Sequence, residues 1–542
     1  MEQKKLRMAL LLRSDKVPSW KYAAIEEVLK SDIAEITFIG KFQHVEANKN
    51  HTTSFLYKIY QRLEKLKWKG PASASEEREI SSLFTQKYDP VEVKLDRDQG
   101  VYRLTQANSH PLIAAKLDVI YLLDYIPLKL ELSTLATYGV WYHHFGLAGS
   151  DFESFTGFRE FLNGSPFIIS SLRGFQNDCR HEEVYYESKG PIDRFSIGRT
   201  REWCFWKSAR FVKRKLTEVY LKEELLPVKL PASDGQPNPD GALNFVDLFN
   251  VNLTFIKRYL KEKIINRYYS ERWGLLFHKN QQNFLSLKDL KTLLPPKNKF
   301  WADPFIYSEN GQYFIFLEES YLGKKKKGFI SVMEINAEGQ ISETRKVIEQ
   351  PYHLSYPFVF RWEGKQYMIP ESNQNRTIQL YECKEFPYRW EFVKNLRENI
   401  SAVDTTLFFH NNKWWIFANI KEHQHASLWD ELFLFFTDDP LSSEWTPHPQ
   451  NPIVSDVTKA RPAGQVFKIG HRIFRPAQNC SYRYGYGLTI MEIVNLTENS
   501  YEEKEEISYT PNDLEKINGL HSYNKLDEFT VIDAVIRSRK IF

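Results

Sequence analysis

The sequence predicts an α/β domain with a parallel sheet followed by an all-β propeller of five blades. Three observations carry this. The chain opens with strand, helix and strand in succession. An aromatic hairpin pattern then recurs with a period of roughly fifty residues through the second half. At 542 residues the chain also exceeds one ordinary core, so two to three domains are expected.

Residues 6 to 12 read as a buried strand, and Pro18 to Leu29 as a helix with Trp20, Ala24, Ile25 and Val28 on one side. Ile33 to Ile39 supplies a second strand ending at Gly40. Such alternation builds a parallel sheet. Asp118 to Leu123 is another buried strand, a short helix around Leu130 to Thr137 follows, and Tyr138-Gly139-Val140-Trp141-Tyr142-His143-His144 returns to the sheet. Ligands of open α/β sheets bind beyond the carboxyl ends of strands. His143 and His144 stand at such an end and are the polar candidates of this domain.

The first strand and helix, the Asp118 strand, and Gly-Val-x-x-His-His before a glycine-containing loop resemble the N-terminal domain of the formyltransferase family. The resemblance implies a Rossmann-like fold over residues 1–200 and formyl transfer from a folate. In that family an Asn-x-His pair at this strand end works with a following aspartate. Here Trp141 or Tyr142 occupies the asparagine position, His144-Phe145-Gly146-Leu147-Ala148 replaces the family's proline-flanked run, and Asp178 is the aspartate at hand. An oxyanion needs a donor, so the missing amide argues against a folate cofactor.

Arg194 to Leu216 is strongly basic, with Trp203, Phe205, Trp206, Phe211 and Val212 interleaved. Pro231 to Gly241 reads as a linker. The next helix sets Phe249, Leu253, Ile256, Leu260 and Ile264 on one face, and Lys257, Arg258, Lys261 and Lys263 on the other. Residues 201–270 are therefore expected to be a helical linker. Such helices either clamp domains together or lie on an anionic membrane. Lys324 to Lys327 reads as an exposed turn.

The propeller is expected over 271–542. Phe300 to Tyr307 and Tyr313 to Glu319 flank the turn Glu309-Asn310-Gly311, a tight-hairpin signal. The pattern returns at Ser355 to Glu371 around Glu363-Gly364, at Val403 to Phe417 around Asn411-Asn412, and at Ala463 to Arg475 around Ile469-Gly470. A fainter copy runs from Gly519 to Asp533. One small sheet cannot bury both faces, whereas sheets stacked around an axis cover one another. Glu271 to Phe277 is expected to pair with the blade ending near Ile536 and close the ring.

The first strand of each blade lines the axis, so its opening residues face a shared funnel. Those openers are Asp303, Tyr356, Asp404, Arg461 and His521, with Glu318, Glu319, Glu371, Arg475 and Gln478 at the far ends of second strands. Buried strands seldom carry such residues, and their convergence points to a polar ligand site.

Trp-Ala-Asp303-Pro-Phe and Val-Asp404-Thr-Thr-Leu-Phe resemble the first- and third-blade aspartates of family 43 glycosidases. That resemblance implies Asp303 as general base and Asp404 as the carboxylate that orients the acid. The family's fourth-blade glutamate has no counterpart in Ala460-Arg461-Pro462-Ala463-Gly464, which leaves Glu371 as the substitute acid. A longer series covers nearly all of residues 270 to 540. Ala302-Asp303-Pro304-Phe305, Tyr356-Pro357-Phe358, Met368 to Ser372, Arg475 to Cys480, Tyr484-Gly485-Tyr486-Gly487 and Gly519-Leu520-His521 resemble the N-terminal domain of glucosamine inositolphosphorylceramide transferase.

The resemblances imply a transferase, or an enzyme accessory to one, acting on a carbohydrate or sugar nucleotide in cell-surface glycan or glycolipid synthesis. Catalysis would fall to Asp303, Asp404 and Glu371, and substrate binding to Tyr356, Arg461, Arg475, Gln478 and His521. A sugar-nucleotide N-formyltransferase and a non-catalytic glycan-binding module are the alternatives.

Composition is consistent with this. Charge is nearly balanced, 73 basic against 69 acidic residues, so no nucleic-acid partner is expected. Aromatics at 15% serve sugar stacking or blade packing. Cys179, Cys204, Cys383 and Cys480 form no metal or disulfide pattern, and His423-x-His425 reads as a surface turn, so no metal is expected. The short apolar run Met8 to Leu12 is no secretory signal. The expectation is a cytoplasmic protein, peripheral to the inner membrane face if its basic helices touch lipid.

Overall fold

The computed structural model describes residues 4–42, 55–84, 89–98, 101–104, 111–124, 128–129, 135–146, 153–176, 182–228, 244–279, 287, 290–323, 327–336, 338–513 and 517–540. The chain divides into two compact units after Leu260. Asp178, the Pro231–Gly241 stretch, Lys324 to Lys326 and the start of the helix expected from Leu130 lie outside the described residues.

The first unit is built on a seven-stranded sheet. Its spatial order is Glu183–Gly190, Ile168–Phe175, Val140–Phe145, Val119–Leu122, Leu6–Leu12, Ala34–Phe42, Val91–Val93. The strands from Val140–Phe145 onward are parallel, and Ile168–Phe175 pairs antiparallel with Val140–Phe145 on one side and Glu183–Gly190 on the other. The order reverses between Leu6–Leu12 and Val119–Leu122, the switch point of a doubly wound, Rossmann-like sheet. Alternation along the first strand sends Met8, Leu10 and Leu12 into one core and Ala9 and Leu11 into the other.

The helices Ile197–Ser208 and Phe211–Lys222 correct the expected linker. Phe211, Val212, Leu216 and Val219 share a core with Met8 and Leu10, and Ser196 caps the first helix by accepting from the Arg199 N–H. The basic residues flank an apolar stripe that the sheet needs as cover, so the α/β unit runs to Leu260 rather than to residue 200. The helix Phe245–Tyr268 buries Leu248, Val251, Asn252 and Phe255, and the face from Phe249 to Ile264, expected either to clamp domains or to lie on a membrane, is exposed.

The second unit consists of five four-stranded antiparallel sheets. Blades 1 to 4 begin at Lys299–Glu309, Ser355–Trp362, Ala402–His410 and Phe467–Ile469. Blade 5 is composite: Ile517–Leu526 and Phe529–Arg539 are completed by Tyr269–Lys279 and Lys291–Leu293 from the start of the unit. Arg272 stands opposite Ile536 along this seam, and the ring closes by hydrogen bonds between strands far apart in sequence. In the first three hairpins both turn residues have positive φ: Asn310 and Gly311, Glu363 and Gly364, Asn411 and Asn412. Such two-residue turns match the twist of the strands they join.

Candidate functional site

One backbone device recurs at the head of the blades. Asp303, Tyr356 and Asp404 hold equivalent positions with φ of +47°, +45° and +56°. In each case the ladder loses register there, between Ala302 and Phe305, Ser355 and Phe358, and Val403 and Thr406. Blade 5 slips likewise between Leu520 and Tyr523, around His521. A left-handed conformation costs a non-glycine residue about 1–3 kcal/mol and persists where the surroundings impose it. Each bulge frees backbone N–H groups from the ladder and re-aims a side chain.

Asp533 collects those freed groups. Its carboxylate accepts from the backbone N–H of Asp303 (2.9 Å), His521 (3.1 Å) and Ser522 (2.8 Å), so it ties blade 1 to blade 5. Its Oδ2 also lies 2.5 Å from His521 Nδ1, while His521 Nε2 faces Asp303 Oδ1 at 3.5 Å. Trp273 packs on the imidazole at 4.2 Å between ring centroids, and Tyr484 meets it edge-on at 5.4 Å. Burial works against the imidazolium, but Asp533 and Asp303 outweigh it and raise the His521 pKa.

In blade 3, Asp404 is 1% exposed and paired with Arg461, Nε to Oδ2 at 2.5 Å and the second guanidinium contact at 3.4 Å. Gln478 Nε2 donates to the same carboxylate at 3.0 Å. The guanidinium lies 4.8 Å from the Tyr484 ring centroid. Burial opposes its charge, yet Asp404 prevails and holds Arg461 protonated.

The remaining acids are pushed the other way. Burial first, with Asp533 and Asp404 adding to it against His521 and Arg461, raises Asp303 to about 7. Glu371 also rises to about 7, through burial and then the Asp404 charge, although the Asn373 N–H and the Ser355 hydroxyl bond its carboxylate. Glu318 is raised well above the carboxylate range by burial and then by Asp303 and Glu371. Its Oε1 has no hydrogen-bond partner and faces His353 Nε2 at 3.5 Å. His353 Nδ1 accepts the Gly328 N–H, which leaves the ring proton of the neutral imidazole on Nε2, toward Glu318.

Asp303, Asp404, Glu371, Arg461, Gln478 and His521 are thus brought into one electrostatically coupled group. Tyr356 lies beside this group: burial, then the Asp404 and Asp303 charges, raise its pKa well above the ordinary phenol value. It is fully buried, and its hydroxyl bonds Thr406 Oγ1 (2.7 Å) and the Gly464 N–H (2.8 Å), so it joins blades 2, 3 and 4. Arg475 is placed elsewhere: Glu503 engages it with both oxygens (2.9 and 2.8 Å) and it donates to Lys459 O. Arg475 and Gln478 are three apart on one strand and so face opposite ways. Asp533, Tyr484, Trp273 and His353 were not singled out from sequence. An acid inside the apolar run Val531 to Val535 is the signal that marks Asp533. Among the described residues, Asp303, His521 and Asp533 each offer a ligand atom within 4.8 Å of the others, close enough to hold a cation.

In the α/β unit, His143 sits among aromatic rings, 5.0 Å from Trp20, 5.8 Å from Tyr121 and 6.0 Å from Phe211 between centroids. Burial, with Lys21 nearby, lowers its pKa to about 3, and burial with Arg173 does the same for His144. Both imidazoles are neutral side chains of the core.

The second unit matches a known domain model. Residues 289–530 fit the family described as glucosamine inositolphosphorylceramide transferase 1, N-terminal, and the motif series read from sequence falls largely within that stretch. Proteins named glucosamine inositolphosphorylceramide transferase 1 are similar to it. The one from Oryza sativa subsp. japonica is 34% identical over 211 residues, 38% of this chain and 28% of the relative. That from Arabidopsis thaliana is 28% identical over 212 residues, 39% of this chain and 27% of the relative. The similarity therefore spans just over a quarter of these relatives' length. Among solved structures, a family 117 glycoside hydrolase from Zobellia galactanivorans is 11% identical, covers 49% of this chain and 90% of its own, and has a TM-score of 0.33. RS223 β-xylosidase is 11% identical, with 45% and 92% coverage and a TM-score of 0.34.

Proposed function

We propose that the propeller funnel is the sugar-handling site of a transferase, or of an enzyme accessory to one, in synthesis of a cell-surface glycan or glycolipid. One observation carries the reading: carboxyl groups from separate blades gather around a single arginine, and two of them titrate near neutral pH. Two such groups at pH 7 supply a base and an acid together. Asp303 would take the proton of an acceptor hydroxyl, Glu371 would protonate the leaving oxygen, and Asp404 would orient the site while neutralised by Arg461. Gln478 and His521 would meet hydroxyls. The sugar and glycolipid in the relatives' names support this substrate class, and a nucleotide sugar is the donor to test first.

Formyl transfer in the α/β unit, the finer of the sequence expectations, draws no support from His143 and His144. Buried imidazoles whose pKa is lowered to about 3 are poor bases.

Thermal-shift measurements against nucleotide sugars and oligosaccharides test the binding claim. A stabilising ligand whose effect is lost in Asp303→Asn is expected, and no response to any sugar would refute it. Mass spectrometry of products then separates a transferase from a module that binds glycan without turnover.

A further inference from the structure

We infer that the exposed face of the helix Phe245–Tyr268 docks onto an anionic lipid bilayer, lying in the plane of its interface. The helix is anchored on one side only. Leu248, Val251 and Phe255 enter a core with Tyr60, Phe161 and Ile197, and the Asn252 amide donates to Leu56 O at 3.1 Å. About a third of a turn away, Phe245, Val246, Phe249, Leu253, Ile256 and Leu260 form a continuous apolar stripe. Phe245 is 69% exposed, Phe249 51% and Leu260 54%. The neighbouring helix Phe55–Glu64 adds Phe55 at 75%, one residue from the Leu56 carbonyl that Asn252 engages. Large side chains exposed in a contiguous row mark a docking surface rather than ordinary surface scatter.

Charge selects the occupant. Lys257 and Lys261 border the stripe one turn apart, and Lys263 and Arg267 continue beyond its end. Lys58 and Arg62 lie exposed on the adjacent helix. Asp247, by contrast, is held in a reciprocal pair of hydrogen bonds with Asn244 at the helix start. An apolar stripe with a cationic border fits an anionic headgroup layer. The spacing of Val246, Phe249, Leu253, Ile256 and Leu260 would also suit a coiled-coil seam. A second copy in parallel would face Lys257 with Asn252 and leave Lys261 outside the seam, so it gives neither cation an acidic partner, whereas an anionic headgroup layer pairs with both. Among the described residues no helix is long and apolar enough to cross a bilayer, so the contact is interfacial.

The test uses the full chain and flotation with phosphatidylcholine vesicles, with and without phosphatidylserine. Binding is expected with phosphatidylserine, weakening in high salt. Leu253→Glu/Leu260→Glu and Lys257→Glu/Lys261→Glu should each reduce it by about tenfold or more, with the circular dichroism of the folded chain unchanged. Binding that is absent, or equal in both variants and the parent, overturns the inference. So does a dimer in analytical ultracentrifugation that Leu253→Glu/Leu260→Glu dissociates, since the face then belongs to a second copy.

Discussion

Replacing Arg461 by methionine tests whether the candidate site is held by a closed ion pair. The substitution keeps much of the side-chain volume but leaves Asp404, 1% exposed, with the Gln478 amide as its remaining side-chain donor. Removing one partner of a buried pair costs about 3–5 kcal/mol, because the other charge stays desolvated. At about 2–4 °C per kcal/mol for a unit of this size, Tm of the propeller transition should fall by about 6–20 °C. Calorimetry of the full chain reads this directly. Adding Asp404→Asn removes the orphaned charge and should restore most of the loss, since a neutral pair of similar volume is close to balanced. Arg461 also holds down the pKa of Asp303 and Glu371, so both should titrate higher in the single variant. A fall below about 1 kcal/mol would mean the pair behaves as a surface bridge. A double variant as unstable as the two singles combined would mean they do not interact. Either result refutes the reasoning.

Other consequences follow from the same geometry. Asp303 and Glu371 keep a proton in the folded state up to about pH 7 that the unfolded chain loses near pH 4, so their contribution destabilises as pH rises through that window. Urea titrations at pH 5 and pH 8 should show Asp303→Asn flattening this dependence, and an unchanged slope would contradict the assignment. His143, held near 3 against 6.5 in the open chain, acts in the opposite direction, losing stability as pH falls below 6.5. His143→Phe should recover about 2 kcal/mol at pH 5 in denaturant melts, and a variant as acid-sensitive as the parent would exclude a neutral core histidine. Gly464 has φ +138°, and a Cβ there would lie 2.2 Å from Tyr523 O. Gly464→Ala should therefore lower Tm by more than any exposed-loop glycine substitution, such as Gly364→Ala, measured in the same calorimeter.

The sequence by itself determined the elements and their repetition. Strand periodicity, the Asn310-Gly311 and Asn411-Asn412 turns and the Glu271–Phe277 seam are local or repetitive signals, and they sufficed for a five-bladed ring. It also brought Asp303, Asp404, Arg461, Gln478 and His521 into view, because polar residues at the heads and ends of buried strands are anomalous wherever the chain goes. Tertiary structure decided which of them meet. The bulges at Asp303, Asp404 and His521 turn side chains by an amount that no period-2 rule contains, and Asp533 can be recognised as their common anchor only once blades 1 and 5 are adjacent. Arg475 is held away from that group for the same reason: a buried partner farther along the chain, Glu503, engages it. The helix at Phe245–Tyr268 carries two apolar stripes, and nothing local distinguishes the one the core takes from the one left in contact with solvent.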